Sequence, residues 1–315
     1  MSQHLIAFTF FAMHGREVQA YAMASSIRAF AGKFKDAPIW ITVPVGHELK
    51  GDVAEKLAAL NVEYVPIPAH EAIWKYPYAS KPLASAAAET HAIGKTDFLV
   101  WIDRDGLVTG QPNAFLLPEG KLLGYRPTDM RNVGSPWGEP LTPFWQKIFT
   151  RFDIDEAKAF KFTSVVDEQR MYPYVNAGLL CVRPKAGILR EWKADFLQHY
   201  MATELLAYAK ESPVYYWLGH QALLTGTVLK MLTEDQMQLL PWGYNYPANL
   251  HHRFAPGKAV DTLDQVTSIR IDDLLSHEGW RKLFTPDDPI LIWLAELLKD
   301  CESYYDTQEL SPMCI

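Results

Sequence analysis

The sequence predicts an α/β fold, a three-layer sandwich with a mostly parallel central sheet and helices on both faces. Two observations carry this reading. The first third of the chain alternates short apolar runs with stretches of helical 3–4 spacing. Strand–helix–strand alternation of this kind marks parallel strands joined by crossover helices. The second observation is Phe98-Leu-Val-Trp-Ile102, an unbroken apolar run that leads straight into Asp103-Arg104-Asp105-Gly106. A run with no polar interruption suits a strand covered on both faces.

The elements follow in order. Leu5–Phe11 reads as the first strand. Glu17–Phe34 reads as a helix, with Ala20, Met23, Ile27 and Phe30 near a 3–4 spacing. Pro38–Val43 is a strand, Gly51–Leu60 a helix and Val62–Ile67 a short strand. Lys81–Ala92 is an alanine-rich helix that leads to the strand Asp97–Ile102. Leu122–Tyr125 looks like a further strand. Pro127–Pro143, rich in Pro, Gly, Asn and Asp, reads as a long loop of the kind that often carries function. Thr142–Phe152 is helical, and Tyr174–Val182 is a strand with an internal glycine. Gly187–Ala209 is a helix or a pair of helices, and Gly219–Met231 another. Gln238–Pro241 leads into the aromatic stretch Trp242–Tyr246. Ser268–Ile271 reads as a last strand and Pro289–Cys301 as a closing helix.

Bulk composition excludes several classes. Hydrophobic residues make up 49% and charged residues 21% of the 315, which describes a globular chain. The net charge is −7 and no long basic run occurs, so nucleic acid is not expected as a partner. No apolar stretch reaches the length of a membrane-spanning helix. Cys181, Cys301 and Cys314 fit neither a zinc cluster nor a disulfide framework, which favours a reducing, cytoplasmic setting. Cys181 sits in an apolar run and reads as a small core residue.

The chemistry-bearing motif is Asp103-Arg104-Asp105. On an extended chain the two aspartates point the same way and Arg104 the other. Adjacent carboxylates repel unless a positive charge lies between them. A hard divalent cation suits that position, because Mg²⁺ and Mn²⁺ prefer oxygen ligands and share them with phosphates. Ligands in open α/β sheets bind beyond the carboxyl ends of the strands. The motif therefore suggests a metal–diphosphate site. The bland alternative is an ordinary solvated Asp-Gly turn. The turn after the first strand, Ala12-Met-His-Gly15-Arg16, lacks a Gly-x-Gly-x-x-Gly pattern and a Walker-type loop.

Four landmarks stand in order along the chain: Ser80-Lys81-Pro82 opening a helix, Asp103-Arg104-Asp105, Asn176-Ala177-Gly178, and His220-Gln221 followed by Tyr244-Asn245. In this order they resemble the GT-A glycosyltransferases, nearest to the glycogenin and lipopolysaccharide-galactosyltransferase group. The resemblance implies a metal-dependent transfer of a hexose from a nucleoside diphosphate sugar, with UDP the family-level guess, to a carbohydrate or other hydroxyl acceptor. It implies Mn²⁺ or Mg²⁺ on Asp103 and Asp105, and Lys81, Asn176 and Gly178 near the donor. Gln221, His220 and Asn176 are the implied catalytic positions. His277, in His277-Glu-Gly-Trp280, is the candidate third metal ligand, with His251 and His252 as competitors. Several relatives carry Asp-Gln where this chain has His220-Gln221, which leaves inversion versus retention open. The implied organisation is one domain: residues 1–125 for the nucleotide sugar, 126–280 on the acceptor side, and 281–315 a closing helix and tail. Trp242, Tyr244 and Tyr246 either stack on an acceptor sugar or fill the core. Arg126 and Arg131 are candidate phosphate clamps in the long loop. The alternatives are a GT-A-like protein that binds a nucleotide sugar or carbohydrate without turnover, and a sugar nucleotidyltransferase, which the glycine-poor first turn disfavours.

Overall fold

The computed structural model describes residues 4–76, 78–271 and 278–301. The strands are β1 (His4–Phe11), β2 (Ile39–Pro44), β3 (Val62–Ile67), β4 (Thr96–Ile102), β5 (Gly106–Val108), β6 (Leu123–Pro127), β7 (Phe162–Thr163), β8 (Arg170–Met171), β9 (Val175–Val182), β10 (Met237–Leu239), β11 (Tyr246–Pro247) and β12 (Ser268–Arg270). The helices are α1 (Glu17–Phe30), α2 (Gly51–Ala58), α3 (Ala72–Lys75), α4 (Ser80–Ala92), α5 (Pro143–Arg151), α6 (Ile188–His199), α7 (Thr203–Glu211), α8 (Pro213–Met231) and α9 (Pro289–Lys299).

The central sheet has the order β10-β6-β9-β4-β1-β2-β3. All its pairs are parallel except those of β9, which runs against both β4 and β6. This is the mostly parallel three-layer sandwich that the alternating sequence implied. Residue alternation along β4 explains its unbroken apolar run. Leu99 and Trp101 enter one core with residues of α4, α5, α6 and α8. Phe98, Val100 and Ile102 enter the other, against α1 and the Phe115–Leu117 segment. Both faces of the strand are covered, so no polar residue is tolerated inside it. A second, small sheet, β11-β12-β5, lies beside the exit of β4. It rests on a third apolar cluster that includes residues of α9.

Some boundaries differ from the sequence reading. The helix expected over Glu17–Phe34 ends at Phe30, and residues 32–34 form a single 3₁₀ turn. Gly32 adopts φ +57°, a left-handed conformation that stops the helix, and the Gln111 side chain packs where a β-carbon would stand. The stretch 187–209 resolves into the pair α6 and α7. Helix α8 begins at Pro213, six residues before the expected Gly219, with proline in its first turn. Cys181 is a fully buried core residue, and burial pushes its thiol up.

Helix α4, which carries Lys81 at its start, is anchored at the other end by Glu89. This fully buried carboxylate accepts from the backbone N–H groups of Leu189 at 3.2 Å and Arg190 at 2.8 Å in the first turn of α6. Those donors and the helix dipole favour its charge. Burial outweighs them and raises its pKa from 4.5 to about 7. A folded-state pKa above the unfolded value means that the native state holds the proton more tightly between those limits. Stability is therefore greatest below about pH 4.5 for this group and falls as pH rises toward 7. Urea unfolding between pH 5 and 7 is expected to show a falling midpoint that Glu89→Gln flattens. A slope identical in the variant would assign the pH dependence to other groups.

Candidate active site

The site is built where β4 and β9 cross in opposite directions. The register pairs Ile102 with Leu179, so the start of β9 lies beside the end of β4. The Asp103 N–H donates to the Gly178 carbonyl at 2.8 Å. Beyond Ile102 the chain bends and does not stay extended. Strict side-chain alternation at Asp103-Arg104-Asp105 therefore ends, and each side chain finds its own partner. Lys81 Nζ sits 2.6 Å from Asp103 Oδ2, with both side chains less than a fifth exposed. Arg104 lies 3.7 Å from Asp105 and over the Phe11 ring at 6.0 Å. The Asp105 carbonyl accepts from Ile271 N–H at 2.8 Å, which ties the bend to the end of β12.

Gly178 is required by space. A β-carbon there would stand 3.0 Å from Asp103 Oδ2, 3.0 Å from Asn176 Oδ1 and 3.1 Å from Arg270 Cδ. Asn176 is buried, and its Oδ1 accepts from the Gly178 N–H at 2.8 Å. Helix α8 docks on the same segment. Gln221 Oε1 accepts from Ala177 N–H at 2.9 Å, and Thr225 Oγ1 accepts from Val175 N–H at 2.9 Å. Gln221 thus holds the backbone of the Asn-Ala-Gly segment with its carbonyl oxygen.

His220, one residue before, is buried and stacks on Tyr78 with ring centroids 4.6 Å apart. Its Nδ1 is 2.9 Å from the Trp217 carbonyl. A carbonyl only accepts, so Nδ1 carries the proton and Nε2 presents its lone pair. That Nε2 has no hydrogen-bond partner among the described residues. Burial, reinforced by the Lys81 charge, holds His220 well below the usual imidazole range. The ring is neutral. Lys81 also lies over the Tyr78 ring, at 5.3 Å. Lysine, histidine and tyrosine thus form one cluster beside Asp103.

The structure brings Lys81, Asp103, Asn176, Gly178, Gln221 and His220 together, with Asp105 in the same bend. The candidate third metal ligand is a different matter. His277 lies outside the described residues. His251 packs on the Phe284 ring at 4.5 Å, and its Nδ1 meets Tyr246 OH at 2.9 Å. Among the described residues, no group of three or more His, Cys, Asp and Glu side chains is arranged to hold a metal. Asp103 and Asp105 each offer carboxylate oxygens on side chains partly open to solvent, the ligand type that Mg²⁺ or Mn²⁺ takes when sharing phosphate and water oxygens.

Of the aromatic trio, Tyr246 is core, stacked on Phe254 at 5.1 Å. Tyr244 is also buried, its hydroxyl accepting from Ala114 N–H at 2.9 Å. Only Trp242 is exposed. Arg126 is not in a loop but at the end of β6, buried, with Nη1 donating to the Leu240 carbonyl at 2.7 Å.

Three participants escaped the sequence reading. Arg270 on β12 reaches Gly178 and pairs with Asp129, 141 residues away in the chain. Its flanking isoleucines, both buried, are the local signal that it faces the other way. Tyr78 bridges Lys81 and His220. Glu17, fully buried, closes the turn after β1 by accepting from Gly15 N–H at 2.8 Å and Lys50 N–H at 3.1 Å. An acidic residue in the first turn of a helix is the signal there.

A mostly parallel central sheet with one reversed strand and helices on both faces is the architecture of the GT-A glycosyltransferases. The chain belongs to the Rhodobacterales glycosyltransferase domain family, whose profile matches residues 9–223. No curated protein matches it in sequence. Among solved structures it is similar to the galactosyltransferase LgtC in complex with donor and acceptor sugar analogues. The identity is 12% and the TM-score 0.51, over 93% of this chain and 95% of that one. It is also similar to the bifunctional glycosyltransferase WbbM, with 15% identity and a TM-score of 0.51, over 95% of this chain and 51% of that one. These likenesses show the fold. Among the described residues, no helix is long and apolar enough to cross a membrane.

Gly178→Ala tests the close packing. It is expected to cost about 1–3 kcal/mol of stability through overpacking. Unchanged melting would contradict the packing described.

Proposed function

We propose that this glycosyltransferase moves a hexose from a nucleoside diphosphate sugar to an acceptor hydroxyl with the help of a divalent cation at Asp103 and Asp105. The observation that carries the reading is the bend at the carboxyl end of β4, where Asp103 stands beside Lys81 and the Asn176–Gly178 segment and Asp105 follows two residues on. In the reaction the bond between the anomeric carbon and the β-phosphate oxygen breaks, and a bond from the acceptor oxygen forms. The nucleoside diphosphate departs with the bonding electrons, and the acceptor's proton passes to the departing phosphate oxygen. A bound Mg²⁺ or Mn²⁺ would neutralise charge on the departing diphosphate.

The remaining roles belong to the chain. Lys81 places a positive charge beside Asp103, positioned to share the negative charge of the leaving group. Gly178 leaves room for the Asp103, Asn176 and Arg270 side chains to converge on the backbone of β9. Gln221 fixes the Asn176–Gly178 segment through Ala177, and its side chain also hydrogen-bonds the buried Tyr174 hydroxyl. His220 offers a neutral, buried acceptor at Nε2 for a sugar hydroxyl. It positions substrate by a hydrogen bond and supplies no negative charge. The preference for UDP, the identity of the hexose and a cytoplasmic setting extend the same reading.

Turnover is measured as UDP release from UDP-hexoses with Mn²⁺. Asp103→Asn and Asp105→Asn are each expected to lower the rate by roughly 10²-fold or more, with melting temperature retained. Normal rates in both variants would remove the metal–diphosphate assignment.

A further inference from the structure

A groove of about 580 Å³ lies beside the centre described above and has no part in it. It opens at the carboxyl ends of β6 and β10 and is lined by Arg126, Leu239, Trp242, Ser164, Glu168 and Gln238. We propose that this groove is a second saccharide subsite. It holds the part of the acceptor that lies beyond the hydroxyl receiving the hexose. The proposal rests on the glycosyl-transfer reading.

Its first support is Trp242. The indole is 39% exposed although it is propped edge to face against Tyr246 at 5.3 Å and Phe254 at 6.2 Å. Two buried rings hold a large aromatic at the surface where free burial would favour the interior. A sugar ring has a face of C–H groups and a rim of hydroxyls. Trp242 and Leu239 match the face, and Gln238, Ser164 and Glu168 match the rim.

The second support is Arg126. It is only 7% exposed, yet it lines the groove. Its Nη1 is satisfied by the Leu240 carbonyl, while its Nε has no hydrogen-bond partner among the described residues. A buried donor without a partner is costly unless something accepts from it. A ligand hydroxyl or ring oxygen in the groove supplies that acceptor. Burial lowers the Arg126 pKa to about 10, so the group stays charged at neutral pH and remains a strong donor.

The third support is position. Asp129 is the charge neighbour of Arg126 and pairs with Arg270. Arg270 Cδ and Asp103 Oδ2 both crowd the place of a β-carbon at Gly178. Consecutive side chains therefore link the groove wall to the reaction centre. Both lie at the carboxyl end of the sheet, since β4 and β6 run parallel, each antiparallel to β9 between them. An acceptor whose terminal hydroxyl is at the centre can extend along this line toward Trp242.

The test applies fluorescently labelled protein to an array of short neutral and acidic oligosaccharides. The unaltered chain is compared with Trp242→Ala, which removes the platform, and Leu239→Arg, which obstructs the groove from the exposed end of β10. The unaltered chain is expected to retain a subset of glycans, and both variants to bind them about tenfold more weakly while melting normally. No glycan retained by the unaltered chain would overturn the proposal, as would retention that both variants keep. Donor hydrolysis by the unaltered chain is measured separately. Retention without hydrolysis leaves the groove and removes the transfer reading. Hydrolysis without retention removes the groove alone.

Discussion

The antiparallel pairing of β4 with β9 is the constraint on which the site depends. Parallel neighbours would place only strand exits at the carboxyl end of the sheet. The reversed strand brings an entrance there, so the Asn176-Ala177-Gly178 segment meets Asp103 directly through the bond from Asp103 N–H to the Gly178 carbonyl. A backbone bond at that point fixes Asp103 regardless of its side-chain partners. What the side chains then do is a matter of charge. Lys81 balances Asp103, Arg104 balances Asp105, and Arg270 balances Asp129. Each carboxylate at this edge of an acidic chain is thus matched by one cation.

The supporting shell is buried and polar, and its geometry is correspondingly rigid. Glu89 ties α4 to α6, and Gln221 and Thr225 tie α8 to β9. Each of these groups is costly to bury without its partner, so the relative placement of three helices around Lys81, Asn176 and Gly178 is tightly determined. His220 is the exception, with Nε2 still open. It is a buried acceptor held neutral by burial and by the Lys81 charge.

Much of this was legible in the chain. The strands β1, β2, β4 and β9 announce themselves because both faces are covered, which leaves continuous apolar runs. The order of Lys81, Asp103, Asn176 and Gln221 anticipated the residues that the fold gathers. Other features were hidden for physical reasons. Strands β5, β7, β8 and β11 span two or three residues, too few to show a period. Arg270 and Asp129 find each other across 141 residues, and nothing local records that pairing. The alternation argument at Asp103–Asp105 assumed an extended chain, whereas the chain bends there. Tyr244 and Tyr246 read like Trp242 in sequence, but only burial separates core from surface.

The most direct measurement is a thermal-shift screen of nucleoside diphosphates and their sugars, each with and without Mn²⁺, on the unaltered chain and on Asp103→Asn. A ligand that binds only the native state raises its melting temperature by mass action. A nucleotide-dependent shift that requires the cation and disappears in Asp103→Asn is the expected result, with uridine diphosphates giving the largest effect. No shift with any nucleotide, or an equal shift in Asp103→Asn, would contradict a metal–diphosphate site at the exit of β4.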